Sequence, residues 1–521
     1  MHDLLEDPLI GVVLPHGATH VSLPDLLAGL VNDDVRSYTG LRPHQADPWH
    51  AFVVQVAASI MARQPAGTLP PTDATTWRAG LLQLAYGQGA AWHLVVDEVT
   101  KPGFMQHPLG TAGESGEWKV AARTPDELDV LVTSKDHDVK SARMDPKDPE
   151  SWLFALVTYQ TTSGFLGAGN YGSIRMNGGF GSRAFVSLVE HRAPAGRFRE
   201  ELAVLVSCRD EVLRGAFGFK DRGCVLTWLK PWGRQQAQWP ITELEPWFIE
   251  AVRPVRFRAI AANIEALGTT SKARQVGPKA LDTGDVGDPW HPINLADKKK
   301  GRSALTVGSA GWSPETLCRV IFQQEIQLTP LQRPRPGMGT NAWLVGSVLV
   351  RGQGTTDGFR QFAIKIPARA RSWLEKPDDR EMLAKLAQRL LGDAKEVEKT
   401  LRAAVMLLAS GGPADLDLGN KTLNAWARNV VGQETLGWSD RFFTTLWRAT
   451  DEKPDEVRDS WCEELVHRAR ALLSEAERRI PVPSNRRYRA AARARGLLEG
   501  GLRKKGLITS THRTMTAEVA I

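Results

Sequence analysis

The sequence predicts an α+β fold, in which a large irregular mixed N-terminal domain is followed by a C-terminal four-helix bundle. Over residues 1–375, short runs of β-branched and large apolar residues alternate with helical stretches and turn residues, with no repeat of about 20 to 50 residues. From residue 376 onward, the pattern changes to long amphipathic stretches rich in Ala, Leu, Glu, Lys and Arg. We therefore expect a mixed α+β domain over residues 1–375 and a helical bundle over residues 376–521.

Length and composition are typical of a folded protein without a membrane span. The 521 residues are 42% hydrophobic and 24% charged, as in globular domains. The longest apolar runs fall short of the roughly 18 residues that a spanning helix needs. Acidic residues precede the first apolar run, where a secretion signal would carry positive charge. We expect a cytoplasmic protein that has no membrane partner.

Charge and cysteine content limit the chemistry. The formal net charge of +7 is compatible with local basic patches for nucleic acid but does not prove them. The four cysteines are widely spread and form no CxxC pair, and no GxSxG, HExxH or P-loop pattern is present. The sequence thus predicts no metal, no cofactor and no catalytic residue. An enzyme would need an active site assembled from distant positions.

The elements of the mixed domain follow from local patterns. Strands are expected at residues 9–14, 129–133, 184–189, 203–207 and 343–350, and helices at residues 24–31 and 47–63. Residues 273–302 combine turn residues with a basic run, so we expect a loop or a poorly ordered insertion there.

Amphipathic patterns in the C-terminal region predict about four long helices. They cover residues 383–408, 421–431, 438–450, 454–479 and 485–505. The last pattern carries eight cations against one acid, Glu499. Arg489, Arg493 and Lys504 therefore either contact a nucleic-acid backbone or form a solvated cationic face.

A glycine loop at residues 164–181 contains seven glycines. Residues 167–172 match GxGxxG, but the glycines that follow prevent the helix required by a dinucleotide-binding fingerprint, and a nucleotide cofactor is rejected. The cations Arg175 and Arg183 lie within and just after this loop. Two interpretations stay open: a wide turn between strands, or a loop whose exposed N–H groups bind phosphates or base edges. The polar residues 131–144 leave a similar choice between a solvated loop and one that grips RNA.

Taken in order, several short motifs resemble one known family. LLEDPLIGVV and LPDLL stand near the N-terminus, GFMQHP at residues 103–108 precedes the polar loop and the glycine loop, and TWLKP follows at residues 227–231. This order, with a helical bundle last, resembles the large subunit (CasA) of the type I-E CRISPR surveillance complex Cascade. The resemblance implies a non-catalytic subunit that recognises a protospacer-adjacent motif in double-stranded DNA and starts duplex unwinding. It also implies guide RNA and other Cascade subunits as partners, with a helicase-nuclease recruited in trans.

The resemblance also implies roles for particular residues. The guide-RNA handle meets Val132, Thr133, Ser134 and Lys135; the motif meets Gly167, Ala168, Gly169, Asn170 and Lys230; and Gln332 is the wedge under the motif. Arg234 is a close alternative to Lys230 as the minor-groove cation. Apart from the resemblance, the basic run at residues 486–505 predicts that Arg489, Arg493 and Lys504 contact the DNA backbone or the neighbouring small subunits. A glycine backbone and a cation in the minor groove predict permissive reading of the motif, because that groove distinguishes base pairs poorly.

The proposed wedge lies in a proline-rich segment, residues 329–336. Three prolines restrict the backbone and remove ladder hydrogen bonds, so we expect a stiff projecting turn whose Arg333 and Arg335 hold flanking phosphates. The alternative is an exposed proline-rich connection. For the whole protein, two other functions stay open: a nucleic-acid-processing enzyme and a purely architectural scaffold.

Overall fold

The computed structural model describes residues 2–129, 145–179, 181–277, 282–297, 299, 301–351, 356–412, 417, 419–480, 482 and 484–508. The chain divides into two units. One comprises residues 1–312 and 325–364, and the other comprises residues 313–324 and 365–521. The first unit mixes helices with small sheets and the second is almost entirely helical, which confirms the predicted fold class.

Helices and strands are numbered separately in chain order. The helices are α1 Leu23–Val31, α2 Pro43–Met61, α3 Ala74–Leu84, α4 Pro125–Leu128, α5 Pro149–Thr162, α6 Pro194–Leu213, α7 Pro314–Ile321, α8 Ala368–Glu375, α9 Pro377–Ala409, α10 Lys421–Trp447, α11 Pro454–Arg479 and α12 Ser484–Lys504. The strands are β1 Ile10–Leu14, β2 Gly17–Val21, β3 Ser37–Tyr38, β4 Lys119–Ala122, β5 Ala184–Val189, β6 Cys224–Leu226, β7 Trp239–Pro240, β8 Leu244–Ile249, β9 Val255–Ile260, β10 Asn263–Gly268, β11 Val276–Gly277, β12 Ile293–Asp297, β13 Gly301–Ala304, β14 Ile326–Gln327, β15 Asn341–Arg351 and β16 Thr356–Pro367.

The sheets of the first unit are small, and among the described residues none exceeds three strands. The three-stranded sheets have the orders β2-β1-β3, β4-β10-β9, β13-β12-β14 and β16-β15-β5, and two-stranded pairs join β6 to β8 and β7 to β11. β15 pairs antiparallel with β5, with Trp343 opposite Val189 and Val348 opposite Ala184. Since no sheet is large enough to form a core alone, helices must complete the interior.

The core of the first unit is built around α2, which is apolar and buried over most of its surface. This all-round burial is typical of a helix inside a domain. An aromatic cluster extends from it: the Phe104 ring lies 5.4 Å from Phe52 and 5.9 Å from Trp228. The Trp228 indole belongs to the TWLKP motif, so the motif rests directly on this core.

Two local predictions were wrong. Residues 203–207, expected as a strand, lie inside α6, because Phe198, Leu202 and Leu205 bury a helical face there. Residues 273–302, expected as a loop, contain β11, β12 and the start of β13. Trp290 in that segment is completely buried. The patterns at residues 421–431 and 438–450 form one helix, α10, followed by a short 3₁₀ turn, so the five patterns correspond to four long helices, in agreement with the prediction.

In the second unit, α9 packs against α10, α11 and α12. The Trp461 indole Nε1 donates to the Leu390 carbonyl over 3.0 Å, and Arg458 pairs with Asp393 at 2.7 Å, so α11 is held to α9 by specific polar contacts. α12 buries one stripe at four-residue spacing, formed by Ala490, Ala494, Leu498 and Leu502. This spacing matches the period of an α-helix, so the opposite side of α12 faces solvent.

Candidate nucleic-acid interface

The glycine loop is closed at a narrow neck. The Ser173 amide donates to the Ser163 carbonyl over 3.1 Å, which brings the two ends of the loop side by side. A Cβ atom at Gly172 would lie 2.6 Å from the carbonyl carbon of Gly164. Since no side chain fits at that distance, Gly172 is required by the close approach of the two backbone segments.

Arg253 holds this neck from inside the protein. Its guanidinium donates to the Tyr171 carbonyl over 2.6 Å and, with a shorter contact, to the Gly164 carbonyl. The side chain is 2% exposed and forms no ion pair with a described residue. Burial away from carboxylates lowers the pKa of this guanidinium from its usual range. A buried cation is thus used to join the two ends of the loop.

The tip of the glycine loop is a tight exposed turn. The Asn170 amide donates to the Gly167 carbonyl, and the Leu166 amide donates to the Asn170 carbonyl, each over 3.0 Å. Gly167 has φ +101° and Gly169 has φ +85°, conformations that side chains rarely adopt. Gly167 and Ala168 are exposed. The four predicted motif residues 167–170 therefore form one turn that presents backbone at the surface.

A short segment, residues 269–272, connects this tip to the turn that follows TWLKP. The Ser271 amide donates to the Gly169 carbonyl over 2.8 Å, and the Lys272 amide donates to the Arg234 carbonyl over 2.6 Å. The structure therefore brings together the glycine tip and residues 230–238, which are distant in sequence. We call the tip at residues 166–170, the connecting segment 269–272 and the turn 230–238 the motif surface.

Lys230 and Arg234 have different environments within the motif surface. Lys230 is exposed, has no ion pair among the described residues, and places its ammonium 4.3 Å from the centre of the Trp239 ring. Arg234 pairs with Glu117 at 3.0 Å, donates to Thr269, and has a side chain that is 16% exposed. Lys230 is therefore the cation available to a ligand, and Arg234 braces the connecting segment.

A buried polar network lies in the interior next to Lys230. The Thr227 hydroxyl donates to the Ile249 carbonyl and contacts the Gln275 side chain, each at 2.8 Å. The Gln275 amide in turn contacts the His107 ring at 2.8 Å. Burial lowers the pKa of His107 to about 4, which keeps the imidazole neutral near pH 7. The GFMQHP and TWLKP motifs therefore meet in one buried network.

An open cleft lies beside the motif surface. Its volume is about 520 Å³, and its lining includes Phe165 and Tyr171 from the glycine loop and the exposed cation Lys272. Arg274 also lines it, but its guanidinium pairs with Asp282. Aromatic rings and a free cation are the groups that contact unstacked bases and phosphates.

The two cations noted with the glycine loop are not available to a ligand. Arg175 is 1% exposed and Arg183 is 3% exposed. Both pair with Asp288, at 3.5 and 2.8 Å. Neither guanidinium reaches the surface, because both are buried against the shared carboxylate of Asp288.

The predicted projecting turn around Gln332 is also wrong. The Gln332 side chain is 3% exposed, and its amide donates to the carbonyls of Trp290 and Val186 over 2.6 and 3.2 Å. Its carbonyl oxygen accepts from the Thr329 amide over 3.0 Å, inside a capping box. Arg333 pairs with Glu211, and Arg335 pairs with Glu200. Gln332 is thus an internal anchor, and its geometry does not support insertion into DNA.

The predicted handle residues Val132, Thr133, Ser134 and Lys135 lie outside the described residues, as does most of the strand expected at residues 129–133. Asp129, the last described residue before that segment, is held in place, because its buried carboxylate contacts the His44 ring and accepts from the Gln45 amide, each at 2.8 Å. In the part of the chain that the structure describes, no cluster of potential metal ligands occurs and no helix meets the length and apolarity of a membrane span.

The three predicted cations of the bundle, Arg489, Arg493 and Lys504, are exposed on α12. Sequence analysis missed Arg253, His107 and Gln275 as supports of the candidate site. GFMQHP and TWLKP were visible as motifs, but nothing local to Arg253 indicates that its partners lie about eighty residues earlier in the chain.

No protein-family model matches the sequence, and no curated protein sequence matches it. Solved structures do match. Cse1 from Acidimicrobium ferrooxidans aligns with TM-score 0.65 and 15% identity over 97% of this chain and 98% of that chain. CasA from Thermus thermophilus aligns with TM-score 0.61 and 14% identity over 96% and 99% of the two chains. A chain of a CRISPR RNA-guided surveillance complex aligns with TM-score 0.52 and 14% identity over 95% and 98%. The resemblance seen in the sequence is thus confirmed at the level of architecture, and the protein has the Cse1/CasA fold.

Proposed function

We propose that the chain is the non-catalytic large subunit of an RNA-guided CRISPR surveillance complex. In this proposal it recognises a protospacer-adjacent motif in double-stranded DNA, starts unwinding, and recruits a helicase-nuclease in trans. The observation that carries the proposal is the motif surface, where an exposed glycine turn and the free cation Lys230 are joined on a protein with the Cse1/CasA fold. The segment at residues 132–135 is proposed to meet the guide-RNA handle.

The motif surface has the chemistry of a permissive reader of the minor groove. The glycine turn lets backbone approach base edges without side-chain bulk, and a lysine ammonium donates to acceptors on the groove floor. Trp239 under the Lys230 ammonium restricts where the cation stands. Since A·T and T·A pairs present the same acceptors there, such a surface should tolerate several motif sequences.

Opening of the duplex needs a place for unstacked nucleotides. The cleft beside the motif surface offers the Phe165 and Tyr171 rings, whose centres lie 5.9 Å apart, together with Lys272. Stacking on such rings offsets part of the unstacking energy, and guide pairing then carries the sequence specificity. These steps require binding groups only, and no bond is made or broken by the chain itself.

Membership of a complex is tested first, by purifying the tagged protein from its host. Small RNAs of uniform length and several other subunits should accompany it. Recovery of the chain without RNA would contradict the proposal, and a divalent-metal-dependent nuclease activity of the chain alone would instead support a nucleic-acid-processing enzyme. A complex that binds all DNA duplexes alike, whatever the flanking motif, would support an architectural scaffold.

Motif reading is tested in the assembled complex with Lys230→Gln. Removal of one groove contact should weaken binding to a motif-bearing duplex about tenfold. Binding to a target already opened as a bubble should change much less, because that target bypasses motif reading. Gly169→Val should act in the same way, since Gly169 has φ +85° and its Cβ would lie 2.9 Å from Thr270.

Lys220→Gln is the matched control, because Lys220 is another exposed lysine of the same unit that lies outside the motif surface. Lys220→Gln should leave the affinity for the motif-bearing duplex and for the bubble unchanged. An equal loss of affinity for duplex and bubble in Lys230→Gln would assign Lys230 to assembly or stability and overturn its role in motif reading.

A further inference from the structure

The outward side of α12 carries a row of cations and glycines. With Ala490, Ala494, Leu498 and Leu502 buried, the period of the helix places Gly496, Gly500 and Lys504 on the opposite side and Arg489 and Arg493 on the adjoining flank. All five are exposed. The row extends over sixteen residues, or about 22 Å of helix.

The cations of this row differ from the other cations of the bundle. Nearby basic side chains have acidic partners: Arg470 pairs with Glu499 at 2.6 Å, Lys505 pairs with Glu396 at 2.9 Å, and Arg495 pairs with Glu477. Arg489, Arg493 and Lys504 form no ion pair with any residue that the structure describes. The positive charge of the outward row is therefore uncompensated within the described chain.

The glycines of the row have no explanation inside the described chain. Glycine is a poor helix former, and apart from the helix backbone no described atom lies within 4 Å of a Cβ placed at Gly496 or Gly500. Gly501 is different, because its Cβ would lie 2.5 Å from Thr400 in the packed interior. Gly501 thus serves packing within the bundle, whereas the two outward glycines leave the helix backbone open to a partner.

The chemistry of this face favours a phosphate backbone over a protein partner. A stable protein interface needs an apolar centre, and the centre of this row is glycine flanked by cations. Tyr488, 91% exposed at one end of the row, offers a hydroxyl of the kind that contacts phosphates. The cations attract the phosphate backbone electrostatically, and the absence of side chains at residues 496 and 500 lets it approach the helix closely.

We infer that the outward face of α12 binds the phosphate backbone of double-stranded DNA at close range and without regard to sequence. The inference rests on the proposed function only in taking DNA as the target. It adds a second contact region on another part of the chain, where affinity is gained independently of the motif.

The test measures binding of the assembled complex to motif-bearing and motif-free duplexes over a series of salt concentrations. The triple variant Arg489→Gln, Arg493→Gln, Lys504→Gln should lower the slope of log K against log[salt] by about 2 to 3, close to 0.9 for each phosphate that is no longer neutralised. The loss of affinity should be equal for both duplexes, so their ratio stays that of the unmodified complex.

The double variant Gly496→Gln, Gly500→Gln tests close approach without removing any charge. Glutamine has a higher helix propensity than glycine, so misfolding does not explain a defect. The variant should weaken binding of the complex to both duplexes about tenfold. Gly392→Gln is the control, because Gly392 is an exposed glycine of α9 whose Cβ would also meet nothing within 4 Å. It should bind DNA normally.

Unchanged salt slopes and affinities in both α12 variants would overturn the inference. Loss of other subunits from the purified variant complexes would also overturn it, because it would identify a protein partner for this face. These results are separate from a failure of the proposed function, which would show in the unmodified complex as equal binding of motif-bearing and motif-free duplexes.

Discussion

Replacement of Arg253 by Met should both destabilise the protein and impair motif reading. The Arg253 guanidinium donates to the carbonyls of Gly164 and Tyr171, one at each end of the exposed tip of the glycine loop. Met has a similar length and no donor. The variant therefore leaves the buried Gly164 carbonyl and the partly buried Tyr171 carbonyl without their hydrogen-bond partner and releases the neck of the loop.

The size of the effect follows from these hydrogen bonds. A buried carbonyl that loses its donor costs about 1–3 kcal/mol, and a partly buried one costs less because water can replace the donor, so the two together cost about 2–5 kcal/mol. Part of this is offset, because Met also removes a buried charge that has no carboxylate partner among the described residues. We expect the free energy of unfolding to fall by about 2–4 kcal/mol.

Two measurements check this expectation. Urea denaturation of the purified chain gives the change in the free energy of unfolding. Binding of the assembled complex to motif-bearing duplex, motif-free duplex and a pre-opened bubble shows whether the loop still reads the motif. We expect Arg253→Met to lose most of the preference for the motif-bearing duplex while it binds the bubble normally.

Arg63→Met is the matched control. The Arg63 guanidinium also donates to two carbonyls, those of Ser59 and Gly223, and it does not contact the glycine loop. It should lower stability and leave the motif preference intact. If Arg253→Met unfolds at the same urea concentration as the unmodified protein and discriminates the motif equally well, the reasoning about the neck is refuted.

Two further predictions concern buried groups. Gln332→Ala removes hydrogen bonds to Trp290, Val186 and Thr329, and we expect the free energy of unfolding to fall by about 2–4 kcal/mol; an unchanged urea midpoint would contradict the buried geometry. Burial lowers the pKa of His107 from 6.5 to about 4, so between these values the unfolded chain binds more protons than the folded one. The contribution of His107 to stability is therefore complete above about pH 6.5 and is lost as the pH falls toward about 4, with a slope of at most about 1.4 kcal/mol per pH unit. His107→Gln should reduce the slope of the free energy of unfolding against pH between about pH 4 and 6.5. Equal slopes in the variant and the unmodified protein would exclude His107 as the titrating group.

Elements with a strong local pattern were predicted well from the sequence. β5 is observed at Ala184–Val189, as predicted, and β15 at Asn341–Arg351 contains the predicted strand at residues 343–350. The long amphipathic pattern of α9 likewise became a helix ending at Ala409, before Gly411 and Gly412. These successes have a common reason: the alternation of apolar residues and the positions of turn formers are local properties.

The local sequence pattern did not predict the structure where tertiary contacts decide the conformation or the burial of a residue. The β-branched residues of α6 resemble a strand in isolation, but packing of the helix against α2 decides its conformation. Gln332 stands among prolines that predict an exposed turn, yet the carbonyls of Val186 and Trp290, far away in sequence, hold it inside. Propensity is a weak preference that tertiary contacts override.

The candidate site shows the same division. The sequence pattern indicated the glycine loop and the basic character of α12, and the family resemblance added residues 167–170 and Lys230 as one of two cations. The tertiary structure decided that Lys230 is free while Arg234 is paired, that Arg175 and Arg183 are buried against the shared carboxylate of Asp288, and that Arg253 holds the neck. The residue type is known from the sequence, but whether its charge is available to a ligand depends on its ion-pair partners and its solvent exposure, which are set only in the folded protein.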